Sequence, residues 1–168
     1  PFLTDCNTLY PGNRKNAIEH MYCAWENGFT PLTVGCPVII GDGLKGTDDI
    51  EVPVKGGEYV KNAKIGRAIM DADVFISLNH FKGHETAGFG GAIKNIGMGC
   101  GSRAGKMEQH AQGKPEIDES LCRGCKRCMK ECANDGLVYD ETTHKMHIDH
   151  EKCLGCGRCI GACIFDAI

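Results

Sequence analysis

The sequence has little net charge and no apolar run long enough to cross a lipid bilayer. With a net charge of −3 at pH 7, it lacks the excess of basic residues with which proteins bind nucleic acids or anionic membranes. A signal-peptide pattern is also missing. These absences argue against a nucleic-acid partner and a membrane span. The many cysteines in metal-binding spacing suit a reducing compartment, so we expect a cytoplasmic protein.

The sequence also lacks an initiator methionine. It starts at Pro1, next to a predicted strand. The chain stops at Ile168, shortly after the last cysteine. We therefore expect a fragment of a longer protein, whose α/β part is incomplete at its N-terminus.

Cysteine, in contrast, is abundant, with 12 residues. Eight of them form two runs of C-x2-C-x2-C-x3-C spacing, and the second run repeats the first 31 residues later. We call them run one (Cys122, Cys125, Cys128 and Cys132) and run two (Cys153, Cys156, Cys159 and Cys163). Structural zinc sites use paired C-x2-C knuckles without the trailing cysteine, and such tight runs are not typical of disulfide frameworks. The spacing therefore predicts iron–sulfur centres.

A 4Fe–4S cubane needs four thiolates, and a tight loop of x2 spacings can present three of them. In two-cluster ferredoxins the last cysteine of each run ligates the other cluster. We therefore predict two 4Fe–4S clusters: cluster one is held by Cys122, Cys125, Cys128 and Cys163, and cluster two by Cys153, Cys156, Cys159 and Cys132. Ala133 and Ile164 stand where a proline usually follows such runs, and this departure removes no ligand.

Charge and composition divide the chain near residues 113–115. Basic and acidic residues balance in residues 1–115, whereas the net charge of −3 falls on residues 116–168. The segment Gly113-Lys114-Pro115 is typical of a linker. We predict an α/β domain over residues 1–115 and a small α+β two-cluster ferredoxin-like module over residues 116–168.

Helical and strand patterns alternate in the first part, which predicts an α/β fold with a mainly parallel sheet. Apolar runs predict buried strands at residues 2–4, 37–40 and 74–78. Alternation on either side of Gly56-Gly57 predicts a hairpin over residues 50–65. Helices are predicted over residues 13–27, 64–71 and 87–98.

Residues 79–106 combine many glycines with polar functional groups. They follow a predicted strand, where α/β folds place their binding crevices, so we predict a catalytic or binding site formed by His80, Lys82, His84, Lys94, Asn95 and Arg103. His80 and His84 could bind one metal if they lie on a helix, while acid–base, substrate-binding and structural roles remain open. Cys100 is a candidate reactive thiol. By the same crevice logic, a shared site or simple turn and cap roles are open for Asp5, Asn7, Asn13, Arg14 and Asp42.

Four further segments carry a family pattern: residues 2–8 (FLTDCNT), 42–44 (DGL), 79–84 (NHFKGH) and 88–99 (GFGGAIKNIGMG). Together with both cysteine runs they resemble the uncharacterised iron–sulfur centre proteins of the domain-of-unknown-function 362 family. The resemblance implies a longer parent protein, with α/β structure before Pro1 and further chain after Ile168. It implies no particular substrate.

Three functions follow from these features. The leading hypothesis is an iron–sulfur oxidoreductase, in which the cluster module exchanges electrons with the site in residues 79–106. The second is a non-catalytic electron carrier or an adaptor of a larger redox complex. The third is metal or cofactor handling, with the clusters as structural elements. The first two functions require a redox partner protein or a small-molecule electron donor or acceptor.

Overall fold

The computed structural model describes residues 1–10, 12–85 and 87–168. Thr86, which belongs to the glycine-rich stretch 79–106, lies outside the described residues. The described residues form seven helices and eight strands, and the strands pair into four two-stranded sheets. None of these helices is long and apolar enough to cross a membrane. The chain is a mixed α/β protein with small sheets.

The first unit is a strand–helix–strand crossover. Strand β1 (Leu3–Asp5) pairs in parallel with β2 (Val38–Ile40), and the connection contains α1 (Ala17–Glu26) and α2 (Pro31–Val34). A parallel pair needs such a long connection, because the chain must return to the same end of the sheet. Both strands and the helix between them were predicted. The helix begins later than predicted because Asn16 caps it: its side chain accepts a hydrogen bond from the backbone N–H of Glu19, at 3.0 Å.

Antiparallel pairs make up the rest of the first part. The predicted hairpin is confirmed as β3 (Asp49–Pro53) and β4 (Asn62–Gly66), followed by the short helix α3 (Arg67–Met70). A second hairpin joins β5 (Lys82–His84) to β6 (Gly88–Gly90). Helices α4 (Ala92–Gly99) and α5 (Arg103–Ala111) follow.

Two sequence predictions are wrong in this part, and a third is right only in part. Among the described residues, β1 and β2 form the one parallel pair and the other three sheets are antiparallel, so the predicted mainly parallel sheet is wrong. Residues 74–78 form no strand, and Val74 and Ile76 are both 77% exposed. An apolar run becomes a buried strand only where neighbouring strands take its backbone hydrogen bonds, and none pairs with it in the described part of the chain. The predicted helix over 87–98 is confirmed from residue 92 onward as α4, but it begins later than predicted, because residues 88–90 form strand β6 and glycine has poor helix propensity.

The C-terminal part is built around a hairpin and two short helices. Helices α6 (Arg127–Glu131) and α7 (Arg158–Ala162) pack against each other. Strands β7 (Leu137–Asp140) and β8 (Lys145–Ile148) pair antiparallel, with Tyr139 opposite Met146. The core of this part consists of Cys122, Cys128, Leu137, Met146 and Ala167.

The 31-residue sequence repeat is also a structural repeat. Left-handed backbone angles recur at matched positions, with φ of 61° at Gly124 and 67° at Gly155. The two repeats also exchange backbone hydrogen bonds symmetrically: Asp118 N–H donates to Ala167 O at 2.8 Å, and Asp149 N–H donates to Gly136 O at 2.9 Å. The start of each repeat is therefore bonded to the end of the other repeat.

Gly66 offers a test of packing at the junction of β4 and β2. A Cβ at this position would lie 2.6 Å from Cys6 Sγ and 2.9 Å from the carbonyl carbon of Gly41. Since the backbone at Gly41 cannot move aside easily, we expect Gly66→Ala to lower the free energy of unfolding by about 1–3 kcal/mol. Chemical denaturation followed by circular dichroism measures this change.

The matched control is Gly83→Ala, because a Cβ at Gly83 meets no atom within 4 Å and the position also lies in a strand. Equal losses of stability in the two variants would contradict the packing assigned to Gly66.

Candidate metal centre

A small cavity brings together cysteines from both runs. It is lined by the first three cysteines of run one and by the trailing cysteine of run two, which are Cys122, Cys125, Cys128 and Cys163. Met146 and Phe165 close its apolar sides. These four cysteines are the set predicted from the spacing for cluster one. Their role as ligands stays a prediction, but the fold does place them around one cavity.

The other trailing cysteine, Cys132, lies beside run two. Gly136, four residues after it, packs against the backbone of Cys153, since a Cβ on Gly136 would lie 3.3 Å from the Cys153 Cα. Cys132 and Cys159 both border the core of the C-terminal part. The end of run one therefore lies beside the start of run two, as the predicted exchange requires.

Backbone N–H groups point at several of the cysteine sulfurs. The trailing cysteines receive matched bonds: Gly136 N–H donates to Cys132 Sγ, and Ala167 N–H donates to Cys163 Sγ, both at 3.3 Å. Cys122 Sγ accepts from the N–H groups of Gly124 and Met146, both at 3.5 Å. Such donors stabilise a negatively charged sulfur and are typical of thiolates that bind metal.

The cysteines do not converge on a single point. Among the described residues, no group of three or more His, Cys, Asp or Glu side chains is arranged to hold one metal ion. A mononuclear zinc site needs four ligands around one ion. A cubane differs, because each thiolate binds a different corner iron and the sulfurs stand further apart. The predicted cubanes do not require such a single-ion group.

Burial keeps the inner cysteines protonated when no metal is bound. It raises the pKa of the Cys128 thiol to about 11 and that of Cys159 to about 12, and in Cys159 the neighbouring Cys156 adds to the effect. Metal binding requires thiolates. Loading of the site must therefore release protons from these buried groups.

A second group of polar side chains is buried at the ends of β1 and β2. We call it the charged core, and its members are Asn7, Asp42, Arg103 and Lys106. The backbone N–H and the side-chain Nδ2 of Asn7 both donate to Asp42 Oδ1, at 2.9 Å each. The sequence analysis raised a shared site for Asn7 and Asp42, and the parallel pairing of their strands does bring them into contact.

Helix α5 supplies the two cations of the charged core. Ser102 caps the helix and accepts a hydrogen bond from Gly105 N–H at 3.1 Å. Lys106 Nζ donates to Gly101 O at 2.6 Å, and Arg103 Nη1 donates to Lys45 O at 3.2 Å. Burial lowers the pKa of both cations and raises that of Asp42, while the attraction between these opposite charges opposes each of the three shifts.

The other residues of the predicted catalytic set lie around the β5–β6 hairpin. His80 and Lys82 are exposed, and His84 Nδ1 accepts from Ala87 N–H at 3.2 Å. Helix α4 carries Lys94, packed against Gly90, and Asn95, whose Nδ2 donates to Asn79 Oδ1 at 2.9 Å. Because β5 is extended, His80 and His84 do not share a helical face, which removes the condition for a joint metal site.

Arg103, the sixth residue of that set, has a different environment. It is 1% exposed and packs against Gly157 and Gly161 of run two, with the rest of the charged core on its other side. It therefore belongs to the contact between the first part of the chain and the cysteine runs.

Sequence reasoning missed the buried residues Lys15 and His20. Lys15 Nζ forms an ion pair with Asp166 and donates to Cys163 O at 3.2 Å, so it joins the first part of the chain to run two. His20 Nε2 lies 3.8 Å from Asp5 Oδ2, and burial lowers the pKa of its imidazole. Both contacts are long-range or specific to the fold, and no spacing in the sequence indicates them.

These features define a mixed α/β chain with two symmetric cysteine runs, the second of which lies against a buried set of charges. The chain matches the family described as Domain of unknown function (DUF362) over residues 1–164, and it belongs to that family. No curated protein and no solved structure matches the chain.

The predicted reactivity of Cys100 can be tested by alkylation. Burial raises the pKa of the Cys100 and Cys6 thiols, so less thiolate is available near pH 8 than in an ordinary cysteine. We expect iodoacetamide to label the half-buried Cys23 and Cys36 before either of them. Mass spectrometry of peptides after timed exposure measures the order. Labelling of Cys100 ahead of Cys36 would show instead that it is an activated thiol.

Proposed function

We propose that the chain is an electron-transfer protein that holds two 4Fe–4S clusters. Cluster one is held by Cys122, Cys125, Cys128 and Cys163, and cluster two by Cys153, Cys156, Cys159 and Cys132. The observation that carries the proposal is the cavity in which Cys163 of run two joins the first three cysteines of run one. This exchange is what two interleaved C-x2-C-x2-C-x3-C runs need to complete two cubanes.

The surroundings of the cysteines support the same assignment. N–H groups donate to Cys122, Cys132 and Cys163, as expected for thiolates of an iron–sulfur centre. The left-handed glycines Gly124 and Gly155 let a neighbouring backbone approach each loop closely. When bound, a 4Fe–4S cluster supplies one-electron transfer, while the protein sets its potential and accessibility.

The two proposed sites differ in exposure. Cys125 of run one is exposed, and so are the basic residues Arg123, Lys126 and Arg127 around it. Run two has no fully exposed cysteine, and two of its glycines are covered, since Gly155 packs on Gly113 and Gly157 packs on Arg103. We assign cluster one to electron exchange with a redox partner protein or a small-molecule donor or acceptor. The basic rim would favour an acidic partner surface.

In this proposal, residues 116–168 act as a ferredoxin-like module and residues 1–115 as an α/β domain that uses its electrons. The enzymatic form of the proposal is an iron–sulfur oxidoreductase whose site includes residues from the stretch 79–106. Of the predicted catalytic set, Arg103 has the closest relation to the module, through its packing on run two.

A second candidate function is a non-catalytic electron carrier or adaptor. Two observations favour it: His80 and Lys82 of the predicted catalytic set are exposed, and Cys125 is also exposed. A carrier needs an accessible cluster and a docking surface, and it has no need of an enclosed substrate pocket.

The proposal predicts about eight irons per chain after anaerobic purification, two cubanes of four each. We expect Cys163→Ala to lose about half of this iron and one of two electron paramagnetic resonance signals after reduction. Its spectrum should match that of Cys122→Ala and differ from that of Cys153→Ala, because Cys163 serves the cluster of run one. Cys36→Ala, outside both runs, is the control and should keep both signals.

Two results would defeat this proposal. One is stoichiometric zinc with no iron in the anaerobic protein. The other is a Cys163→Ala spectrum that matches Cys153→Ala, because each run would then hold its own cluster.

A further inference from the structure

The guanidinium group of Arg103 is buried against the second cysteine run. Arg103 is 1% exposed and packs on Gly157 and Gly161, which flank Cys159 in the segment that carries two proposed ligands of cluster two, Cys156 and Cys159. It reaches this position from the start of α5, on the opposite side of the contact between the two parts of the chain. The residue therefore places a positive charge beside one proposed cluster.

Two glycines make room for this side chain. A Cβ on Gly157 would lie 2.7 Å from both Cγ and Cδ of Arg103, and a Cβ on Gly161 would lie 2.5 Å from its Nη1. The matching positions of run one, 31 residues earlier, are Lys126 and Lys130, and both are exposed. The repeats thus differ in side-chain size at these two positions. The two glycines of run two leave space for the side chain of Arg103, whereas the two positions of run one carry exposed lysines.

Arg103 is only partly compensated by the residues around it: Asp42 is its strongest electrostatic partner, but the two side chains form no ion pair. Nη1 donates to Lys45 O, but Nε and Nη2 are buried and have no hydrogen-bond partner in the part of the chain that the structure describes. No carboxylate among the described residues forms an ion pair with it, whereas the buried Lys15 is paired with Asp166. An unpaired buried cation is costly. An anionic cluster held by four thiolates would supply the missing negative charge and sulfur acceptors.

We infer that Arg103 raises the reduction potential of cluster two and makes it the better electron acceptor of the two clusters. The inference rests on the function proposed above. Reduction adds a negative charge to a cluster, and a nearby buried cation stabilises that charge more than it stabilises the oxidised form. Low effective polarity around the buried guanidinium strengthens the effect relative to a solvent-exposed cation. Arg103 is a positioning and tuning residue, and it binds no iron.

The test is a redox titration of the cluster-replete full chain, followed by electron paramagnetic resonance. Arg103→Gln removes the charge at similar size. We expect Arg103→Gln to lower the equilibrium constant for reduction of one cluster by at least about tenfold. For a one-electron step this corresponds to a shift of about 59 mV to lower reduction potential. Arg103→Lys keeps the charge and should restore most of the potential. Repeating Arg103→Gln in the Cys122→Ala background, which retains only cluster two, should show the same shift.

A matched control and a second variant make the test independent of folding defects. Lys130→Gln removes a unit charge from the exposed matching helix of run one, where solvent screens it, and should change neither potential appreciably. Gly161→Ala leaves Arg103 in place but puts a methyl group where the guanidinium lies, and should lower the same potential as Arg103→Gln. It also tests the inference if Arg103→Gln does not fold.

The inference is overturned if both clusters are present and their potentials are unchanged in Arg103→Gln or, where that variant does not fold, in Gly161→Ala. It is also overturned if Lys130→Gln produces as large a shift. Wild-type protein that binds no iron would instead overturn the proposed function, and this inference with it. Two intact clusters with no effect of Arg103 would leave the proposed function standing.

Discussion

The exchange of trailing cysteines between the two runs is the constraint on which the rest of the C-terminal part depends. A loop of x2 spacings can present three thiolates to a cubane, and the fourth must come from another part of the chain. Here Cys163 reaches the cavity of run one, and Gly136 carries the end of run one to Cys153. The symmetric backbone hydrogen bonds of Asp118 and Asp149 hold the two halves in this arrangement. The packing of α6 on α7 and the hairpin of β7 and β8 are compatible with this exchange of cysteines.

The attachment of this symmetric unit to the rest of the chain breaks its symmetry. Run two faces the charged core and carries glycine at positions 157 and 161, whereas run one carries exposed lysines at the matching positions. The two proposed sites, with the same kind of cysteine ligands, therefore have different electrostatic and solvent environments. Differences of this kind, rather than ligand identity, separate the potentials of chemically identical clusters.

The sequence predicted the features that depend on local spacing. The cysteine runs, their repeat, the β3–β4 hairpin and the crossover between β1 and β2 all follow from periodicity or short motifs. The contact of Asn7 with Asp42 could also be predicted, because each residue follows the end of one of two neighbouring strands, β1 and β2. The strand predicted over residues 74–78 is wrong, because an apolar composition indicates burial but does not show that a neighbouring strand is present to pair with.

The position of Arg103 was beyond sequence reasoning for a different reason. Its placement depends on glycines more than 50 residues away along the chain, whose role is visible only when the two parts are in contact. In the sequence, Gly157 and Gly161 fit an ordinary account of tight loops around sulfur.

A crystal structure of the anaerobic protein, with anomalous scattering measured at the iron edge, tests the exchange of trailing cysteines most directly. The account predicts two iron peaks, one bounded by Cys122, Cys125, Cys128 and Cys163; a peak bounded by the four cysteines of run one alone would contradict it.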